Sequence, residues 1–312
     1  MRGAAPLAGQ ASAQRRKEDT ARRARYVSGR VLIYGALLFW AFISLFPIYW
    51  TLTTSFKVAV DVTQGHLIPW IDYTPSWKGW RSLGLSPDTI FQTSSVRDEF
   101  LQRFENSVLA SVGASLMAVI IGSLAGYGLS RFEYKFGPWR NKDISFFFLS
   151  QLILPPVVLA MPFLALYKEL ALLDSIVGLL LIYTLTVLPI VIWIMRDQFG
   201  SIPRELEEAA LIDGCSIWTA FLRIVLPVAL PGMVAAFILS VVLCWNEYFF
   251  AALLTSSDAK TLPVMVASQT GSQGINWWSM AALSTAAIAP LAIIGIFLER
   301  YIVKGLTAGS VK

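Results

Sequence analysis

Four carboxylates stand close together in mid-chain, and their spacing sets the first chemical question. Glu205, Glu207, Glu208 and Asp213 fall within nine residues, beside Ala209, Ala210 and Gly214. Ser201 and Pro203 just ahead are good helix-start residues, so the glutamates would sit at the positive end of a helix. Gly214, directly after Asp213, is a natural helix stop. The spacing predicts a helix of about ten residues, ~15 Å long. Ala209 and Ala210 would give it a slim face able to enter a groove. Glu208 could cap its own helix or pair with a cation of a partner. A second short helix should follow, with Pro227 and Pro231 marking the entry to the next apolar run. The residues alone leave a plain alternative open, a solvated interfacial hairpin that only joins two spans.

Little else in the chain has the makings of a reaction. No G-x-x-x-x-G-K-S/T loop is present, so the chain is not expected to bind ATP. H-E-x-x-H, C-x-x-C and G-x-S-x-G are absent too, and no catalytic or metal-binding residue is expected. Cys215 and Cys244 lie in different settings, one in a polar loop and one in an apolar run, so neither a disulfide nor a metal site is expected of them. His66, the single histidine, reads as a surface residue of a loop. Glu247, in "CWNEYFF", is the one carboxylate within an apolar stretch. Such a group costs about 2.5–3.5 kcal/mol at a span centre on insertion scales, which marks it for function, although a place toward the outer end lowers the cost.

The composition says what must position these groups. Of 312 residues 56% are hydrophobic and 14% charged, with mean hydropathy +0.62. A soluble domain carries about 25% charged residues, so the balance points to a membrane protein. The net charge of +5 does not indicate nucleic acid, because the basic residues fall between apolar segments instead of forming one patch. Six stretches reach the roughly 20 residues a bilayer crossing needs. They cover 31–53, 107–129, 144–166, 175–195, 233–254 and 277–298. The third holds Pro155, Pro156 and Pro162 and should be kinked or broken. The first is too long for a signal-peptide core, so it is read as a retained span. The fold class is therefore an all-α polytopic membrane protein with six transmembrane helices.

With the N-terminus inside, 18 of the 25 Lys and Arg fall on the cytoplasmic side. The positive-inside rule then places both termini in the cytoplasm. Residues 1–30 form a basic tail, disordered or lying on anionic lipid. Residues 57–104 form a long outer loop, 196–231 a cytoplasmic loop and 299–312 a cytoplasmic tail. In the second span Ala110, Ala114, Ala118, Gly122 and Gly126 recur every four residues, a face where another helix backbone can come close.

The run Glu208-Ala209-Ala210, Gly214, then Ile224-x-Leu226-Pro227 resembles the EAA signature of ABC importer permeases. Further stretches are similar to the carbohydrate-uptake branch, which includes the second permease of the maltose importer. They are "FPIYWTLTTSFK", "YGLSRFEYKFG", "LPPVVLAMPFLALYKEL", "WNEYFFA", "TLPV" and the ending "VKGLTAGSVK". The basic N-terminal tail and the long outer loop depart from that branch. The resemblance implies a permease subunit for a sugar or sugar-like solute in the inner membrane of a bacterium or archaeon. Its partners would be a second permease, two ATPase subunits holding ATP and magnesium, and an external solute-binding protein. It makes the acidic helix, with Glu207, Glu208, Ala209, Ala210, Asp213 and Gly214, the coupling helix that docks on the ATPase. It carries Thr307, Ala308, Gly309 and Ser310 into the ATPase interface. Trp245, Asn246 and Glu247 become candidates for the outward gate or for contact with the binding protein. Two alternatives remain at this point: an importer permease for another solute class, and a polytopic membrane protein with no ATPase.

Overall fold

In lipid every backbone N–H and C=O must be satisfied within the spanning segment, and long apolar runs meet that demand as helices. The computed structural model, which describes residues 6–92, 94–271 and 274–307, is built accordingly. Helix α1 runs Pro6–Thr54 and α2 Ser95–Arg131. Two shorter helices follow, α3 (Asn141–Ser150) and α4 (Pro156–Glu169), then α5 (Ile176–Gly200). Helix α6 is Glu205–Ile212, α7 Ile217–Ala220 and α8 Leu226–Trp245. Helices α9 (Phe249–Leu254) and α10 (Leu262–Ala267) lead to α11 (Trp277–Thr307). Among the described residues, five helices are long and apolar enough to cross a membrane, and the α3–α4 pair, bent by 92°, can serve as a sixth span. The fold is all-α and polytopic.

Prolines decide where expectation and structure part. The third stretch breaks as expected, with Pro155 extended and Pro156 opening α4, while Pro162 stays inside the helix. The fifth does not begin at 233. Pro227 and Pro231 lie within one continuous helix, Ile217–Trp245. A proline ring presses on the carbonyl four residues back. Here a π-helical turn at Phe221–Val225 sits just ahead of Pro227 and widens the helix where that pressure falls. The same span ends at Trp245 rather than 254, because 249–254 form the separate α9. The cytoplasmic loop expected over 196–231 is therefore shorter, since both flanking helices run into it. Polar residues hide the other ends: α1 continues back to Pro6 through the basic segment, and α2 starts at Ser95, capped by Ser94 Oγ.

The core lies between α2, α5 and α8. The small-residue face of α2 is buried against α5, where a Cβ on Gly122 would stand 2.6 Å from Val191 and one on Gly126 2.8 Å from the Arg196 backbone nitrogen. The apolar window of α1, by contrast, has none of its residues buried within the chain. Past its end, Lys57 is fully buried with Nζ 4.2 Å from the Trp50 ring centre. Burial pulls its pKa below the usual lysine value, against the pull of Asp61 and Asp72. His66 faces Asp61 across 3.1 Å in the same loop.

At that end of the molecule Asp174 clamps the segment after α9. It has a positive φ of +53°, which aspartate tolerates better than most residues. Its carboxylate accepts the backbone N–H groups of Ser256, Ser257, Asp258 and Ala259 and the hydroxyls of Ser256 and Ser257. Burial opposes the charge, but the Ala259 N–H, the Ser257 hydroxyl and the other donors outweigh it and hold the carboxyl well below the ordinary Asp range. A depressed pKa stabilises the fold in full above the unfolded value, about pH 4, and loses that contribution as pH falls through the folded value. Asp174→Asn should therefore lower the melting temperature of the purified protein at pH 7, and the gap to wild type should close in strong acid. An equal deficit across the whole pH range would mean that the charge has no part in it.

Candidate functional site

Helix α6 sits at the opposite end from the Asp174 clamp, beyond the far end of α5. Glu205, Glu207 and Glu208 occupy its first turn, where they suit the helix dipole. Its other end is closed as the sequence leads one to expect. The Gly214 N–H donates to the Leu211 carbonyl at 3.1 Å and the Cys215 N–H to the Ala210 carbonyl at 3.0 Å. Gly214 itself is left-handed, with φ +85°. These two bonds and that angle make a Schellman stop.

The carboxylates have divided tasks. Glu207 turns inward: its Oε1 accepts the Arg131 Nε–H at 2.5 Å and its Oε2 the Tyr127 hydroxyl at 2.8 Å. Arg131 also donates to the Ile202 carbonyl at 2.9 Å. Ala210 is buried as well, whereas Glu205, Glu208, Ala209, Asp213 and Gly214 are exposed. Successive helical residues point about 100° apart, so Ala209 and Ala210 do not share one outward face. The slim face falls to Ala209 alone.

Sequence reasoning missed the apolar part of this surface. Ile212 is 86% exposed and Trp218 64%, with Leu211 and Ile217 exposed beside them. A cleft of about 160 Å³ is lined by Glu208, Leu211 and Ile217 together with Arg131. The signal was present, since Ile212 and Trp218 flank the acidic cluster. They read, however, as the fringe of neighbouring apolar runs.

The other expected residues are spread more widely. Trp245 is buried and donates from Nε1 to the Ala287 carbonyl at 3.1 Å, tying α8 to α11. Glu247 accepts the N–H groups of Phe250 at 2.9 Å and Ala251 at 3.2 Å, so its carboxylate caps α9. Asn246 alone of the three is exposed. Glu247→Gln leaves one of those N–H groups facing an amide –NH₂, and cap losses run to about 0.5–2 kcal/mol. That variant should melt at a lower temperature than wild type, and unchanged melting would mean that the carboxylate has no part in holding α9. Thr307 ends the described chain, and Ala308, Gly309 and Ser310 lie outside the described residues. At the α3–α4 bend a cavity of about 490 Å³ is walled by apolar and aromatic side chains, with Gln151 and Thr186 as its polar groups.

Known proteins share this architecture. Residues 118–308 match the family described as "Binding-protein-dependent transport system inner membrane component". The chain is 33% identical to the trehalose/maltose transport system permease of Thermococcus litoralis, over 90% of this chain and 96% of that one. It is 31% identical to the diacetylchitobiose uptake system permease of Streptomyces coelicolor, over 86% and 92%. A crystal structure of a bacterial ABC transporter that imports the polysaccharide alginate aligns with TM-score 0.70 at 21% identity, over 89% of this chain and 98% of that one. An apolar helical bundle with an exposed acidic helix at one end, and a family match across more than half the sequence, lead to one conclusion: the chain belongs to the inner membrane components of binding-protein-dependent transport systems.

Proposed function

We propose that this permease subunit imports a sugar or sugar-like solute, such as an oligosaccharide, glycoside or polyol, driven by ATP hydrolysed in separate subunits. The observation that carries the reading is the unsatisfied face of α6 and α7. Glu208 and Ile212 are exposed on α6, outside the spans, and Trp218 is exposed in the first turn of the span that follows; apolar side chains bared at such a place mark a protein contact. Two ATPase subunits would hold ATP and magnesium, one docked here and one on a homologous second permease. The open flank of α1 offers that second permease a surface as long as the membrane is thick. The Lys and Arg bias puts both termini and α6 in the cytoplasm. The Asp174 end then faces outward, and exposed Asn246 is available to a solute-binding protein there. The tail from Thr307 to Ser310 would lie against the ATPases.

Closure of the ATPase pair on ATP would move the docked helices, and the two permeases would exchange an outward-open for an inward-open state. The sugar assignment rests on the relatives named for trehalose, maltose and diacetylchitobiose. The aromatic wall of the bend cavity, with Phe147, Phe148 and Phe163, suits the apolar faces of sugar rings. The test is co-purification from gently solubilised membranes. Wild type should bring down an ATPase subunit, and Ile212→Asp should lose most of it while remaining in the membrane. Equal recovery by the two would remove α6 as the dock. Thermal shifts of the cognate binding protein against a sugar panel would name the cargo.

A further inference from the structure

Among the described residues, ion pairs are mostly surface features in which at least one side chain is well exposed. Arg131–Glu207 is different, with the two side chains only 7% and 12% exposed. It joins elements far apart in the chain, the last residue of α2 and the first turn of α6. The guanidinium holds Glu207 from one side, and the Tyr127 hydroxyl, one turn back on α2, holds it from the other. Arg204 adds a bond from the start of α6 to the Ser130 carbonyl at 3.3 Å. The Tyr127 ring lies 4.5 Å from that of Phe221, the first residue of the π turn, and 5.6 Å from that of Phe199 near the end of α5. Both carboxylate oxygens of Glu207 are thus held from inside the chain.

We propose that Glu207 is a positioning residue that locks α6 to the end of α2, so that the two move as one body. A single-point pivot would let α6 tilt while α2 stays still. A carboxylate gripped at both oxygens by two side chains of α2 removes that freedom, because charge-assisted bonds in a water-poor setting are strong and directional. Helix α2 in turn packs along α5 through its small-residue face, so a push on α6 enters the bundle without slack. The proposal gives neighbouring acids opposite duties: Glu208 faces the partner, and Glu207 faces the machine it drives. This inference rests on α6 as the ATPase dock.

The experiment has two arms. In the first, the full complex in reconstituted membranes carries Glu207→Gln, Tyr127→Phe, or the exchange Glu207→Arg with Arg131→Glu. The readout is the ratio of binding-protein-stimulated to basal ATP hydrolysis, which loss of folded protein does not alter, beside recovery of the ATPase. Glu207→Gln should cut the ratio about fivefold or more, the scale of ordinary coupling energies. Tyr127→Phe, which removes a single hydroxyl, should cut it less, and the charge exchange should recover most of it. An ATPase that stays bound with a wild-type ratio in both single variants overturns the proposal. In the second arm, spin labels at Ala209 on α6 and Leu124 on α2 report the distance between the helices, with Cys215 and Cys244 replaced by serine. The distribution should be narrow in wild type and broad in Glu207→Gln. An equally narrow one in the variant overturns the lock even where no ATPase binds, whereas failure of wild type to recover an ATPase removes only the docking reading.

Discussion

Gly214→Asp and Glu208→Lys should each abolish transport while the protein stays inserted in the membrane. The two changes reach that result by different routes. At Gly214 φ is +85°, a region that glycine enters freely and aspartate at some cost, and the new carboxylate also meets the negative end of the α6 dipole. No atom of the described residues lies within 4 Å of a Cβ built there, so the cost is backbone strain and charge and not a clash. The bundle is therefore spared and the end of α6 is not. The Schellman bonds to Leu211 and Ala210 loosen, and Ile212, which stands just before the stop, loses its aim. Glu208 has no ion pair among the described residues, so its reversal should change the stability of this chain by no more than ~1 kcal/mol through the helix dipole. What it reverses is the charge presented to a partner. The assay is stimulation of the ATPase by loaded binding protein in reconstituted membranes, with pull-down of the ATPase beside it. Full stimulation and full pull-down in both variants would reduce the α6 loop to a connector.

Much of this fold was legible because the bilayer reads the sequence through composition. Apolar windows of bilayer length located every spanning unit, and three prolines foretold the α3–α4 break. The errors share one cause, which is that hydropathy measures the membrane and not the helix. Polar but helix-compatible residues carry α2 back to Ser95, and the basic run carries α1 back to Pro6. Pro227 looked like a stop because its carbonyl conflict is local, and the π turn that relieves it leaves no mark in a hydropathy window. At the site, the α6 helix and its glycine stop were local matters and could be read. The inward turn of Glu207 could not, since it depends on Arg131, 76 residues away in the chain. The same limit hid Glu247's cap of α9, which needs the backbone break after Trp245 to exist.

Gly126→Leu should be strongly damaging to the bundle itself. Gly126 is buried on α2 against the α5 backbone, and even a Cβ would stand 2.8 Å from the Arg196 nitrogen and 2.9 Å from the Met195 Cβ. The first obstacle is backbone, which cannot swing aside like the tip of a side chain. A leucine therefore has to push the helices apart along the face that Ala114, Ala118 and Gly122 also use. Overpacking a tight core costs about 1–3 kcal/mol, occasionally more. In lipid little resists the separation, because acyl chains are as apolar as the surfaces they replace and close packing is the main adhesive. The damage also lands one turn from Arg131, so the grip on Glu207 should fail with it. The substitution should lower the melting temperature in detergent well below that of Gly35→Leu, whose site on α1 has no atom of the described residues within 4 Å. Equal melting of the two variants would show that α2 and α5 are not pressed together at Gly126, and the rigid path from α6 into the bundle would lose its first step.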